Sequence, residues 1–429
     1  MAYRHKKDEK RKRVVKIVNI TAREIFDSRG IPTVECEIYL DDGMVVTSSA
    51  PSGISRSIYE AHEVRDGGSR LNGYGVQSVV KTIEEVIAPM LIGRKPDVIA
   101  MDIDMVERDG TDNKSCLGSN ATLPISIGIC KAQAYIESVA LYELIADFCD
   151  KDIVAVPCPM FNLLGGGAHV NNGCDIQEYM IVPTGAASFQ EAMDIGVSIF
   201  YALRDILKAK KHTIAYGYEG ELVASFRNNL EACDLIMEAI EKCSYSSSVM
   251  ISLDVAASHF YSMESGLYRW EGNNVIADDL IKWYQQIVKD YPIYSIEDGL
   301  SQVDWKNWKI MKEVLANSIK LVGDDLFATN PQRIWDGIEN DVATTVIIKP
   351  DQIGTLTETL QSINLCHEAG WDVIISHRSG ETNDSFISDL AVGSNASHIK
   401  AGNCFGGERV AKYNRLLAIE NEFFMDSCI

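Results

Sequence analysis

The 429-residue sequence predicts an α/β protein, a (β/α)8-type barrel preceded by a smaller α+β domain. Three observations predict it. Past residue 159, short apolar runs alternate with amphipathic helical stretches, the pattern of parallel strands joined by crossover helices. Six of those runs stop at an ionisable residue: Asp254, Glu297, Asp324, Lys349, His377 and Lys400. The intervals between them are 43, 27, 25, 28 and 23 residues, most of them the length of one βα unit with its loops. Two earlier runs, ending near Asn162 and at Glu178, bring the strands to eight. In such a barrel, functional side chains gather where strands end.

Taken in order, residues 1–15 are a basic tail expected to be disordered. The first 16 residues carry a charge of +6 against −21 for the whole chain, so the remainder carries −27. The run Lys10-Arg11-Lys12-Arg13 also fits a nuclear signal or an RNA-contacting tail. Residues 16–155 form the α+β capping domain. Its strands are expected at 14–20, 33–40 and 44–49, with Asp42-Gly43 turning the second into the third. One helix places Val79, Val80, Ile83 and Val86 on a face and is expected to halt near Pro89; others cover about 97–108 and 121–149. Residues 156–429 form the barrel. There, Ser188 with Glu191 three residues on makes a capping box, and Asn330-Pro331 supplies an N-cap and first-turn proline.

Composition excludes several classes. Apolar residues make up 46% and charged residues 24%, which rules out general disorder. No 18-residue run lacks charges or helix breakers, so no membrane span is expected. An acidic body repels nucleic acid and anionic lipid, leaving only the tail as a nucleic-acid contact. The 11 cysteines include no C-x-x-C pair, and the chain starts without an apolar leader. Both point to reduced thiols in a cytoplasmic protein. A doubly wound sheet is the alternative fold, but no G-x-G-x-x-G follows a strand; Gly165-Gly166-Gly167 runs toward His169 and reads as a loop.

Singly, a strand-end Asp is more often a helix cap and a Lys more often a surface residue. Recurrence in phase with the strands argues otherwise. Asp254, Glu297 and Asp324 would meet as three carboxylates that repel unless a cation joins them, and oxygen ligands favour Mg²⁺ over Zn²⁺. Lys349, His377-Arg378 and Lys400 would add a cationic wall suited to a small anion bearing phosphate and carboxylate. Glu178 and Glu219 remain for proton transfer.

Eight stretches then carry a resemblance: REIFDSRGIPTVE (23–35), APSGIS (50–55), DIQEYM (175–180), SLDVAAS (252–258), SIEDGL (295–300), LVGDDLFATN (321–330), SHRSGET (376–382) and RVAKYN (409–414). Over about 17–419 the chain resembles the enolase family of hydro-lyases. The resemblance implies Mg-dependent, reversible dehydration of 2-phosphoglycerate to phosphoenolpyruvate in glycolysis and gluconeogenesis. It implies Lys349 as the base at C2 and Glu219, assisted by Glu178, as the acid. Asp254, Glu297 and Asp324 would hold one Mg²⁺, and Ser55 would help bind a second. Arg378 and Ser379 would take the phosphate and Lys400 the carboxylate. Gln177 would orient the substrate, and His169 and His377 would close over it. Cations around Lys349 are expected to lower its pKa. A homodimer or larger homo-oligomer is implied as well.

The chain departs from the family's pattern at several positions. The loop pattern S-G-A-S-T-G reads Ser52 to Ser57 with Arg56 and Ser57 at its end, and G-D-E-G-G reads Gly217-Tyr218-Glu219-Gly220-Glu221. Pro350-Asp351 follows Lys349 where the family has an aromatic or aliphatic residue and Asn. These departures motivate the alternative of an enolase-like binding or scaffold protein with weak or no activity.

Overall fold

The computed structural model describes residues 14–53, 57–153, 155–168, 170 and 173–426. Residues 1–13 of the predicted basic tail, Arg56, and the candidate residues Ser55 and His169 lie outside them.

Strands Ile17–Phe26, Pro32–Leu40 and Val45–Ser49 form an antiparallel three-stranded sheet in chain order. Val34, Cys36, Ile38 and Leu40 are buried, as their alternation requires. Gly43 turns the hairpin at φ +97°, and Asp42 accepts the Met44 N–H. The sheet packs on the helix Ser119–Glu137, whose Pro124 carbonyl accepts from Ser48 Oγ.

The helix expected to halt at Pro89 continues through it. Gln77–Thr82 leads into a π-helical turn Ile83–Ile87 and then Ala88–Leu91, which contains Pro89. The wider turn shifts the hydrogen-bond ladder just where proline has no N–H to give. The stretch expected at 121–149 divides into Ser119–Glu137 and Leu141–Cys149 at Ser138, whose φ is +60°.

Eight strands then close a barrel: Cys158–Gly165, Glu178–Val182, Met250–Asp254, Ile293–Glu297, Lys320–Gly323, Thr345–Ile348, Asp372–Ser376 and His398–Lys400. The last strand pairs in parallel with the first, which completes the ring. Met160, Met180, Val182, Val322, Ile347 and Ile374 form a separate core cluster; the larger core includes the outer helices. One strand departs from the uniform parallel expectation: Glu178–Val182 runs antiparallel to both neighbours. Its first residue, Glu178, therefore pairs with Asp254 and reaches the same mouth as the other strands' last residues. Ser188 caps the helix Phe189–Ala209 by accepting from Glu191 N, and Asn330 caps Pro331–Asn340.

The small domain lies against one side of the mouth. Ser52 and Gly380 exchange backbone hydrogen bonds at 2.8 and 3.0 Å, and Gln352 accepts from Ala61 N. Deeper in the junction, Asp102 Oδ2 accepts from Ser126 Oγ and from both the N–H and Oγ1 of Thr357. Its Oδ1 has no hydrogen-bond partner among the described residues. Burial pushes this carboxyl up to about 6. A folded-state pKa above the unfolded value favours folding below the unfolded pKa, and that contribution is lost as pH rises through 6. Asp102→Asn is thus expected to gain stability over the parent chain between pH 5 and pH 8, by roughly 1–1.5 kcal/mol. Urea unfolding at the two pH values checks this; a pH-independent difference would contradict it.

Candidate active site

The mouth of the barrel collects Gln177, Glu178, Glu219, Asp254, Asp298, Asp324, Asp325, Lys349, His377, Arg378, Ser379 and Lys400 around one cavity. All described candidates from the sequence are here except Glu297, which lies just beneath through its contact with Lys400. Most arrive by the same local logic. An apolar strand buried on both faces ends, and the first polar positions point into the mouth; Gln177 and Glu178 instead open their strand, and Glu219 comes from a hairpin turn.

Two ammonium groups organise the acids. Lys400 Nζ lies 3.1 Å from Glu178 Oε2, 3.1 Å from Asp254 Oδ2 and 2.9 Å from Glu297 Oε1. Lys349 Nζ lies 2.5 Å from Asp324 Oδ2. Burial depresses a lysine, but the surrounding carboxylates outweigh it and hold Lys400 well above its ordinary value. Lys349 is likewise pulled down by burial and raised further by Asp324, to a net value above that of a free lysine. The expectation that neighbouring cations lower Lys349 is therefore reversed in the chain by itself. Arg378 and Lys400 do act in that direction, but Asp324 is in direct contact.

The acids divide by their neighbours. Burial, then Asp254, pushes Glu297 well above the carboxylate range, and burial with Glu219 does the same to Glu178. Burial would also raise Asp324, but Lys349 and Lys400 hold it below its usual value. Among the described residues, the carboxylates with oxygens mutually within 4.8 Å are Asp298, Asp324 and Asp325. Only Asp324 belongs to the expected triad. Both Asp298 oxygens accept backbone N–H groups, from Asp324 at 3.1 Å and Asp325 at 2.7 Å, so Asp298 braces the turn that aims Asp324.

This set fits a divalent cation. The ligand atoms are oxygens, the acids outnumber the lysines, and burial together with neighbouring acids forces several of the carboxyls upward. Gln177 Oε1 is also buried without a hydrogen-bond partner among the described residues, while its Nε2 donates to Asp254 at 3.3 Å.

Glu219 sits in a hairpin turn between Ala215–Tyr216 and Leu222–Val223, and Leu222 pairs with Leu164 of the first barrel strand. Its Oε2 accepts from Asn162 Nδ2 at 3.2 Å and lies 3.4 Å from His377 Nε2. Arg409 donates to His377 Nδ1, which leaves the imidazole proton on Nε2, facing Glu219. Burial pushes His377 down to about 4, so it is neutral at pH 7. The structure places it packed against Glu219 on the barrel rim.

Arg378 is held at both ends, by Asp351 at 3.0 Å and Glu60 at 3.0 Å. A Cβ on Gly53 would come within 1.8 Å of Arg378 Nη2, so a larger residue there would displace the guanidinium. Ser379 gives its carbonyl to Arg409. Ser57 Oγ, at a position where the family has glycine, donates to Gln302. Glu60, Asn162, Asp298, Asp325 and Arg409 were not singled out by the sequence. Asp298, Asp325 and Arg409 stood inside quoted motifs and Asn162 near a predicted strand end, but Glu60 carries no local signal of its own.

Comparison with known proteins follows the same division of the chain. Residues 17–145 match the family described as enolase, N-terminal domain, and residues 153–428 match enolase, C-terminal TIM barrel domain. The chain belongs to the enolase family. An enolase from Natranaerobius thermophilus is 45% identical over 413 residues, which covers 95% of this chain and 96% of that protein. Among the described residues, no helix is long and apolar enough to cross a membrane, and the cysteines are free thiols.

Proposed function

We propose that this protein catalyses the reversible, Mg²⁺-dependent loss of water from 2-phosphoglycerate to give phosphoenolpyruvate. The observation that supports it best is the arrangement of Lys349 and Glu219 around one mouth. They belong to barrel positions separated by the two strands that present His377-Arg378 and Lys400. A base and an acid facing a small anion from two directions suit removal of a proton from one carbon and hydroxide from the next.

Asp254, Glu297 and Asp324 would hold one Mg²⁺, with Ser55 contributing to a second. Bound Mg²⁺ would supply positive charge where the substrate carboxylate becomes a dianion and would draw Asp324 away from Lys349. Lys349, its tie to Asp324 loosened, accepts the C2 proton on Nζ. Lys400 holds the substrate carboxylate, and Arg378 and Ser379 hold the phosphate. Glu219 then gives its proton to the departing C3 hydroxyl, assisted by Glu178, and water leaves. Asn162 and His377 hold Glu219 Oε2 in place. Gln177 orients the substrate, and His169 closes over it. The same reading makes 16–155 a capping domain and 156–429 the catalytic barrel of a cytoplasmic homodimer or larger homo-oligomer. Purified protein with Mg²⁺ and 2-phosphoglycerate should show the ultraviolet absorbance of phosphoenolpyruvate. No rise at high enzyme concentration would favour a scaffold role.

Asp351 gives a sharper expectation. It holds one end of the Arg378 guanidinium and would face a phosphate dianion drawn to the same group. Glu60 still orients Arg378 when Asp351 is neutral. Asp351→Asn should therefore bind inorganic phosphate more tightly, by about tenfold, equivalent to ~1.4 kcal/mol. Competitive inhibition by phosphate measures this, and weaker inhibition would contradict it.

A further inference from the structure

Glu221 is a buried carboxyl, 1% exposed, that the proposed chemistry does not use. It lies two residues past Glu219 and folds back under the same turn. Its Oε2 accepts the Glu219 N–H at 2.8 Å. Its backbone carbonyl accepts from Gly217 N at 2.9 Å, which closes the turn. The side chain fills the space left by two glycines. A Cβ on Gly217 would meet Glu221 Oε1 at 1.6 Å, and one on Gly165 would meet Glu221 Cγ at 2.9 Å.

The carbonyls of Tyr218, Glu219 and Gly220 are held from outside the turn. Arg409 donates to the Tyr218 carbonyl at 3.0 Å. Asn403 donates from its N–H to the Glu219 carbonyl at 2.9 Å and from Nδ2 to the Gly220 carbonyl at 3.0 Å. Gly220, at φ +81°, passes so close to the Phe405 carbonyl that a Cβ would come within 2.0 Å. The Glu219 N–H faces inward, and Glu221 is the group that receives it. A buried N–H left without an acceptor is costly, so without Glu221 the turn would have to rotate to find another partner. Rotation at Glu219 moves the side chain held by Asn162 and His377.

We propose that Glu221 is a positioning residue for Glu219, aiming the acid by accepting its backbone N–H from beneath the turn. This rests on the reading of Glu219 as the proton donor to the leaving hydroxyl. The role needs an acceptor oxygen at this place and no charge. Burial, reinforced by Glu219, pushes the Glu221 carboxyl up to about 7, in keeping with a group that serves partly neutral.

The test separates the two half-reactions. Proton removal at C2 requires Lys349, whereas loss of the C3 hydroxyl requires Glu219. Full-length protein in D₂O with Mg²⁺ and 2-phosphoglycerate is followed by proton NMR, which reads deuterium entry at C2 and phosphoenolpyruvate formation together. Glu221→Ala should lower dehydration by ~10²-fold, the scale of a 1 Å misplacement, with C2 exchange kept within about threefold. Glu221→Gln, which keeps an acceptor oxygen, should retain dehydration within about threefold. Unchanged dehydration in Glu221→Ala overturns the proposal, and so does equal loss of both half-reactions in a folded Glu221→Ala protein. Should Glu221→Ala fail to fold, Glu221→Gln decides: retained dehydration supports the proposal, and a loss of dehydration overturns it. If the parent chain neither exchanges nor dehydrates, the functional reading fails first.

Discussion

Lys349→Ala is expected to lower the dehydration rate by ~10²–10⁴-fold or more and to abolish deuterium exchange at C2. Both effects follow because no other described amine approaches the site free of a carboxylate cage. Lys400 is the second ammonium in the mouth, and it is enclosed by Glu178, Asp254 and Glu297. Glu219→Gln gives the contrasting pattern, with exchange at C2 retained and dehydration lost. Lys349→Ala also removes the partner of Asp324 at 2.5 Å, so Asp324 should bind Mg²⁺ with less competition. Tighter Mg²⁺ binding alongside lost turnover would separate the chemical role of Lys349 from its ionic one. Full activity in Lys349→Ala would show that the base is misassigned.

Lys400→Met carries the largest expected effect on stability. Removing this ammonium leaves three buried carboxyls, Glu178, Asp254 and Glu297, without their shared cation. Breaking a buried ion pair at one partner costs about 3–5 kcal/mol. In EDTA at pH 8, Lys400→Met should therefore unfold at markedly lower temperature than the parent chain. Mg²⁺ should recover part of the difference, because a divalent cation on Asp254 and Glu297 supplies the missing charge. At pH 5 the difference should shrink, since carboxyls raised by burial protonate first and no longer need a counter-ion. An EDTA melting temperature equal to that of the parent chain would contradict this view of the mouth.

The sequence made the ring of site residues readable because a barrel converts strand endings into one surface. Asp254, Glu297 and Lys400 end their strands, and Asp324, Lys349 and His377 follow theirs by one residue. The direction of the strand holding Glu178 was not readable. An apolar run has no polarity of its own, and Glu178 begins the strand that its sequence suggests it ends. Charge pairing was hidden for a different reason. Lys400 was expected to meet substrate, yet in the chain alone it neutralises three acids from three other strands. Arg378 meets Glu60 from the small domain and Asp351 from the short helix Pro350–Ile353. Such contacts depend on the folded arrangement of distant segments, which periodicity does not encode. Pro89 shows the same limit on a local scale, because a π turn absorbed a residue that ordinarily stops a helix.

The central claim is that this mouth interconverts two phosphorylated carboxylates by moving one molecule of water. Phosphorus NMR of the purified full-length chain with Mg²⁺ tests it from both sides. Starting from 2-phosphoglycerate or from phosphoenolpyruvate, the spectrum should settle to the same mixture, and EDTA should stop the approach. Two unchanged spectra at high enzyme concentration with Mg²⁺ present would contradict the account.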